Sequence, residues 1–135
     1  MIIISEKIYI TKRFEFEAAH HLEGHQGKCK NLHGHGYVLE VTLYGSVIPG
    51  IDLNNSMVID FYDFKTIVNK IIDEKYDHKN LDEFFKFPTA ECMAIQLFKE
   101  IKEELKNYSG VQMHKVRLYE TSGSCVDYYG GNEVC

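Results

Sequence analysis

The sequence has no tryptophan, only two prolines, and no apolar run near the roughly 18 residues that a membrane span requires. The apolar start, Met1–Ile4, is too short to read as a signal peptide. Positive charge is also scarce: 15 Lys and Arg against 20 Asp and Glu leave a net charge of −5. A general nucleic-acid binder needs a basic field for its phosphate contacts, so that class is excluded. There is no glycine-rich phosphate loop, no CxxC pair and no Ser-His-Asp order. The four cysteines (Cys29, Cys92, Cys125, Cys135) form no compact disulfide framework, and free thiols in a cytoplasmic chain are expected. What is present is 44% hydrophobic residues over 135 positions, enough for one folded domain spanning 1–135. Seven histidines are also present, five of them between residues 20 and 35.

Glycine and proline are missing from 60–75 and 90–107, which marks two candidate helices. Apolar residues at Phe61, Phe64, Ile67, Val68, Ile71 and Ile72 form one helical stripe. Ala90, Ala94, Leu97, Phe98, Ile101 and Leu105 form the second, with Thr89 as N-cap and Glu91 in the first turn. Residues 7–20 instead alternate: Ile8, Ile10, Phe14, Phe16 and Ala18 share a side with His20. Residues 35–46 alternate too, placing Tyr37, Leu39, Val41 and Leu43 on the side of His33 and His35. Two further strands, 112–120 and 125–129, read as a closing hairpin with Val116, Leu118 and Glu120 on its inner side. The order β-β-α-α-β-β predicts an α+β fold, a four-stranded antiparallel sheet with two helices on one face. Such a sheet has two open edges and an uncovered face, which predicts an oligomer.

His33-Gly34-His35 is an HxH motif whose imidazoles fall on one face of a strand. His20 ends the preceding strand on the matching face. If the two strands are antiparallel neighbours, the three rings converge. Three neutral imidazoles suit zinc and leave a fourth position for water or substrate. Gly34 and Gly36 would permit close backbone approach. His21 is on the wrong face, His25 sits in a loop between Gly24 and Gly27, and His114 falls on an inward strand face as a core or interface residue.

Cys29 lies four residues before His33, flanked by Lys28 and Lys30. A thiol so placed is either a reactive base or nucleophile or a fourth metal ligand; spacing leaves both open. Cys92 and Cys125 read as packing residues. Asp77-His78 places a carboxylate beside an imidazole, an arrangement suited to proton transfer, although neighbouring residues often point apart. Glu120 closes an inward strand face, where a carboxylate must be paired, protonated or holding a ligand. A flat, donor-rich heterocycle would satisfy it.

Taken in order, Phe16-Glu17-Ala18-Ala19-His20, Cys29-Lys30-Asn31-Leu32-His33-Gly34-His35, Asp77-His78-Lys79-Asn80-Leu81, Pro88-Thr89-Ala90-Glu91 and Tyr119-Glu120-Thr121 resemble the 6-pyruvoyl-tetrahydropterin synthase family. The resemblance runs from about residue 7 to residue 130. It is closest to the bacterial branch that makes 6-carboxy-5,6,7,8-tetrahydropterin for queuosine biosynthesis, because Cys29 is spaced directly onto Leu32-His33-Gly34-His35. The resemblance implies a tunnelling fold (T-fold), in which three subunits join their sheets into a barrel and two rings stack as a hexamer, with active sites between subunits. It implies 7,8-dihydroneopterin triphosphate as substrate and a zinc-dependent carbon-carbon lyase that releases acetaldehyde and triphosphate. His20, His33 and His35 would hold Zn²⁺, Cys29 would move protons at the side-chain carbon, and Asp77 with His78 would form the relay. Glu120 would anchor the pterin edge, with Thr89 as helper. Lys28, Lys30, Arg13 and Lys79 could supply a basic mouth for the triphosphate. The competing readings are the pyruvoyl-forming synthase, which keeps the three-carbon side chain, and a non-catalytic zinc- or pterin-binding oligomer with Cys29 as fourth ligand.

Overall fold

The computed structural model describes residues 3–20 and 32–132, with His33 described by its backbone. Cys29, His21, His25, Cys135, Lys28 and Lys30 lie outside the described residues, as does the His33 side chain. Strands β1 (Glu6–His20) and β2 (His33–Val47) are followed by helix α1 (Phe61–Lys75), a two-residue strand β3 (Lys79–Asn80), helix α2 (Ala90–Leu105) and strands β4 (Val111–Thr121) and β5 (Ser124–Tyr128). Among these elements no helix is long and apolar enough to cross a membrane.

β1 and β2 pair antiparallel along their full length, from Glu6 opposite Val47 to His20 opposite His33. β4 adds antiparallel to β2, and β5 folds back on β4. The strand order is β3-β1-β2-β4-β5. The expected four-stranded antiparallel sheet is therefore present, with one addition. Lys79 and Asn80 lie parallel to Ala18 and Ala19 as a short edge strand. Two residues carry no readable alternation, and this strand exists only because the chain after α1 docks on β1.

Both helices cover one face, as their stripes predict. Asp60 caps α1 by accepting from the Tyr62 amide at 2.8 Å, and Thr89 caps α2 by accepting from the Cys92 amide at 3.2 Å. α1 buries Phe64, Ile67, Val68, Ile71 and Ile72, and α2 buries Met93, Leu97, Phe98, Ile101 and Leu105. They pack on Phe14, Phe16, Tyr37, Leu39, Val41, Leu43, Val116 and Leu118 of the sheet. Each such large side chain contributes roughly 1.5–3 kcal/mol relative to exposure. Tyr76, fully buried after α1, donates to Glu100 Oε1 of α2 at 3.1 Å, and Lys75 meets the same oxygen at 3.1 Å. That shared carboxylate ties the two helices together at the end nearest β3.

The other face is polar and uncovered by the helices. Arg117 grips Asp127 through two bonds of 2.7 and 2.9 Å, and the Thr11 and Thr42 hydroxyls meet at 2.7 Å. Four sequence expectations need correction here. Ile8 has inward parity but is 41% exposed, because the helices do not reach that end of β1. His114 does not face inward: the register between β2 and β4 shifts at Thr42/Leu43, and the extra residue turns out against Tyr9, Tyr44 and Tyr129. Cys125 is an exposed free thiol rather than a packing residue, while Cys92 is disulfide-bonded rather than free.

Candidate active site

Strand parity brings His20 and His35 together at the end of the β1–β2 pair. Their ring centroids are 5.0 Å apart and nearly perpendicular. Glu120, at the end of β4, completes a cluster whose ligand atoms on His20, His35 and Glu120 all lie within 4.8 Å of one another. His35 Nε2 is 3.5 Å from Glu120 Oε1. The His33 backbone is directly opposite His20, which places the third predicted histidine at the same strand end.

His20 is fully buried, and its Nδ1 lies 2.7 Å from the Pro88 carbonyl oxygen. A carbonyl can only accept, so Nδ1 carries the proton and Nε2 presents its lone pair to the cluster. Backbone fixation of one ring nitrogen is how metal-ligating histidines are usually oriented. The donor set therefore fits a small divalent cation that accepts nitrogen and oxygen ligands. No direct signal in the sequence marks this carbonyl, since any residue type could supply it. Its position comes from Pro88 leading into the Thr89 cap of α2.

Thr89 is half-buried at that cap; its hydroxyl oxygen accepts from Cys92 and its own proton remains available for donation. Gly36, opposite Glu17, is tight: a Cβ there would come within 3.1 Å of Glu17 Oε1. Gly34 is not, since its Cβ would make ordinary contact at 3.7 Å.

Asp77 and His78 do face each other, with His78 Nδ1 3.0 Å from Asp77 Oδ1. Sequence neighbours meet here because His78 has φ of 58°, the left-handed region that few side chains adopt. Both residues are anchored on β1. The Glu17 amide donates to Asp77 Oδ1 at 3.0 Å, and the His78 amide donates to the Glu17 carbonyl. The Glu17 amide, with lesser help from His78 and Lys79, holds the Asp77 carboxyl below its ordinary pKa. The carboxylate thus stays ionised at neutral pH and orients the imidazole. His78 lines a shallow hollow with Glu17, Ala19 and Gly34, of which Glu17 and Ala19 have the opposite strand parity to His20. The relay pair and the metal cluster consequently flank the same strand end from different sides.

Comparison with known proteins bears on this arrangement. The family described as 6-pyruvoyl tetrahydropterin synthase matches residues 9–131. The 6-carboxy-5,6,7,8-tetrahydropterin synthase of Haemophilus influenzae is 35% identical over 141 aligned positions, covering 88% of this chain and 96% of that one. The 6-pyruvoyl tetrahydrobiopterin synthase of Drosophila melanogaster is 30% identical, covering 90% of this chain and 79% of that one. Among solved structures, 6-pyruvoyl tetrahydropterin synthase of Caenorhabditis elegans superposes with a TM-score of 0.81 at 32% identity, covering 97% of this chain and all of the other.

Proposed function

Because the chain belongs to the 6-pyruvoyl tetrahydropterin synthase family, we propose that it acts as a 6-carboxy-5,6,7,8-tetrahydropterin synthase, converting 7,8-dihydroneopterin triphosphate with release of acetaldehyde and triphosphate. The observation that supports this reading is the meeting of the ligand atoms of His20, His35 and Glu120 within 4.8 Å, imidazoles that would bind a cation beside a carboxylate suited to a pterin edge.

His20, His33 and His35 would hold Zn²⁺. When bound, the ion supplies Lewis-acid polarisation of the substrate's side-chain oxygens. Glu120 accepts paired hydrogen bonds from the amino-pyrimidine edge and so orients the ring, with the Thr89 hydroxyl as a further donor. Cys29, as thiolate, takes up and returns the proton on the side-chain carbon. His78 carries the second proton, and Asp77 keeps its imidazole aimed. Lys28, Lys30 and Lys79 form the basic mouth that receives the triphosphate; Arg13 is not part of it, being five residues down β1 from the Ala18–Lys79 pair and bonded to Glu15. The product would feed queuosine biosynthesis in the cytoplasm.

The relay and the metal cluster flank the strand end from different sides, which favours a site completed between subunits. β3 covers only Ala18 and Ala19 of β1, and β5 forms the opposite edge. Three chains would join such edges into a barrel, and two barrels would stack as a hexamer.

Incubation with dihydroneopterin triphosphate under reducing conditions, so that every cysteine is a thiol, tests the reaction. Acetaldehyde and a one-carbon side chain on the product are expected. A product that keeps all three side-chain carbons would instead assign the pyruvoyl-forming reaction. An intact substrate would leave only the binding protein.

Glu120→Gln should separate anchoring from ligation. Hydrogen bonds to a charged group are worth about 1.5–3 kcal/mol, so KM should rise about 10- to 150-fold. Metal content should be unchanged. Loss of metal from this variant would make Glu120 a ligand rather than the pterin anchor.

A further inference from the structure

Tyr37 lies two residues beyond His35 on the same face of β2 and is 1% exposed. Its ring stacks on Phe16 at 5.1 Å and 13°, and presents edges to His35 at 5.6 Å and His20 at 6.3 Å. A phenylalanine would fill the same volume, so packing alone does not account for the hydroxyl. A buried hydroxyl needs partners. Its oxygen is 3.3 Å from His20 Nδ1, the nitrogen whose proton is directed to the Pro88 carbonyl at 2.7 Å. Tyr37 Oη is therefore a second, longer acceptor for that N–H.

We infer that Tyr37 is a positioning residue for the proposed reaction: its hydroxyl, a second acceptor for the His20 Nδ1–H beside the Pro88 carbonyl, fixes the orientation of the metal ligand His20. The inference rests on the metal centre proposed above. It adds a hydroxyl that orients His20 without touching substrate or metal.

The test compares Tyr37→Phe, which removes only the hydroxyl, with Phe16→Leu, which disturbs the stack and leaves the hydroxyl. Metal-free proteins are titrated with Co²⁺ against a competing chelator, and the visible absorption of the Co²⁺ form is recorded. Loss of an orienting partner typically costs 10- to 100-fold in metal affinity. Tyr37→Phe should show about that loss and a shifted Co²⁺ band, with the thermal midpoint of the metal-free protein unchanged. Phe16→Leu should show a lowered midpoint and wild-type Co²⁺ affinity. Wild-type affinity and spectrum in Tyr37→Phe would overturn the inference. So would equal losses in both variants, or a collapsed midpoint in metal-free Tyr37→Phe, since either makes the role one of packing. Failure of the wild-type protein itself to bind Co²⁺ would remove the metal centre first, and the inference with it.

Discussion

His35→Ala is expected to lose its metal on dialysis and to lose turnover by a factor on the order of 10³ or more, since the Lewis acid contributes several kcal/mol and each 1.4 kcal/mol is tenfold in rate. Metal content and kcat measured on the same samples check this. His20→Ala should do the same with an additional penalty. His20 is fully buried and donates to the Pro88 carbonyl, whereas the His35 side chain is 16% exposed. Removing the His20 imidazole leaves that carbonyl without its donor, which costs about 1–3 kcal/mol. Denaturant unfolding of the metal-free proteins should therefore rank His20→Ala below His35→Ala in stability. Equal stabilities would argue against the Pro88 contact as a structural bond.

The second large effect is expected at the relay. His78→Ala should lower kcat by about 10²- to 10⁴-fold, the usual contribution of a positioned acid or base, while metal content stays at the wild-type level. Retained metal with lost turnover would separate His78 from the ligand histidines in a single comparison. Asp77→Asn should give a smaller loss, because the amide still bonds and aims the imidazole but no longer places a negative charge beside it. The Asp77 carboxyl is held below the ordinary carboxylate range. Its charge is thus present above that range and is lost only as pH falls through its lowered value, so any acidic limb in the neutral region belongs to another group. Wild-type kcat in His78→Ala would remove the pair from the chemistry.

The parts legible in the sequence are those with a period. Alternation in β1 and β2 sorted His20 and His35 onto one side, where they meet. The helical stripes gave α1 and α2, and Thr89 was readable as a cap. Glu120 was readable because an inward carboxylate at a strand end demands a partner. The parts that were not legible depend on tertiary contacts. β3 is two residues long and has no pattern of its own. The His78 backbone turns left-handed because its amide donates to the Glu17 carbonyl while the Glu17 amide holds the Asp77 carboxylate, which no local propensity announces. The bulge opposite Thr42 and Leu43 reverses the facing of His114, and parity counting fails beyond it. The Pro88 carbonyl that orients His20 is backbone, 68 residues away. Tyr37 had a signal, its shared parity with His35, although nothing in the sequence pointed its hydroxyl at His20.

In the proposed reaction, turnover depends on one metal ion held by the histidine cluster. Metal-free protein titrated with Zn²⁺, with acetaldehyde release followed at each addition, tests it most directly. The account predicts no release without metal and a linear rise that saturates at one Zn²⁺ per chain. Full release from metal-free protein, or a rise unaffected by His35→Ala, would contradict it.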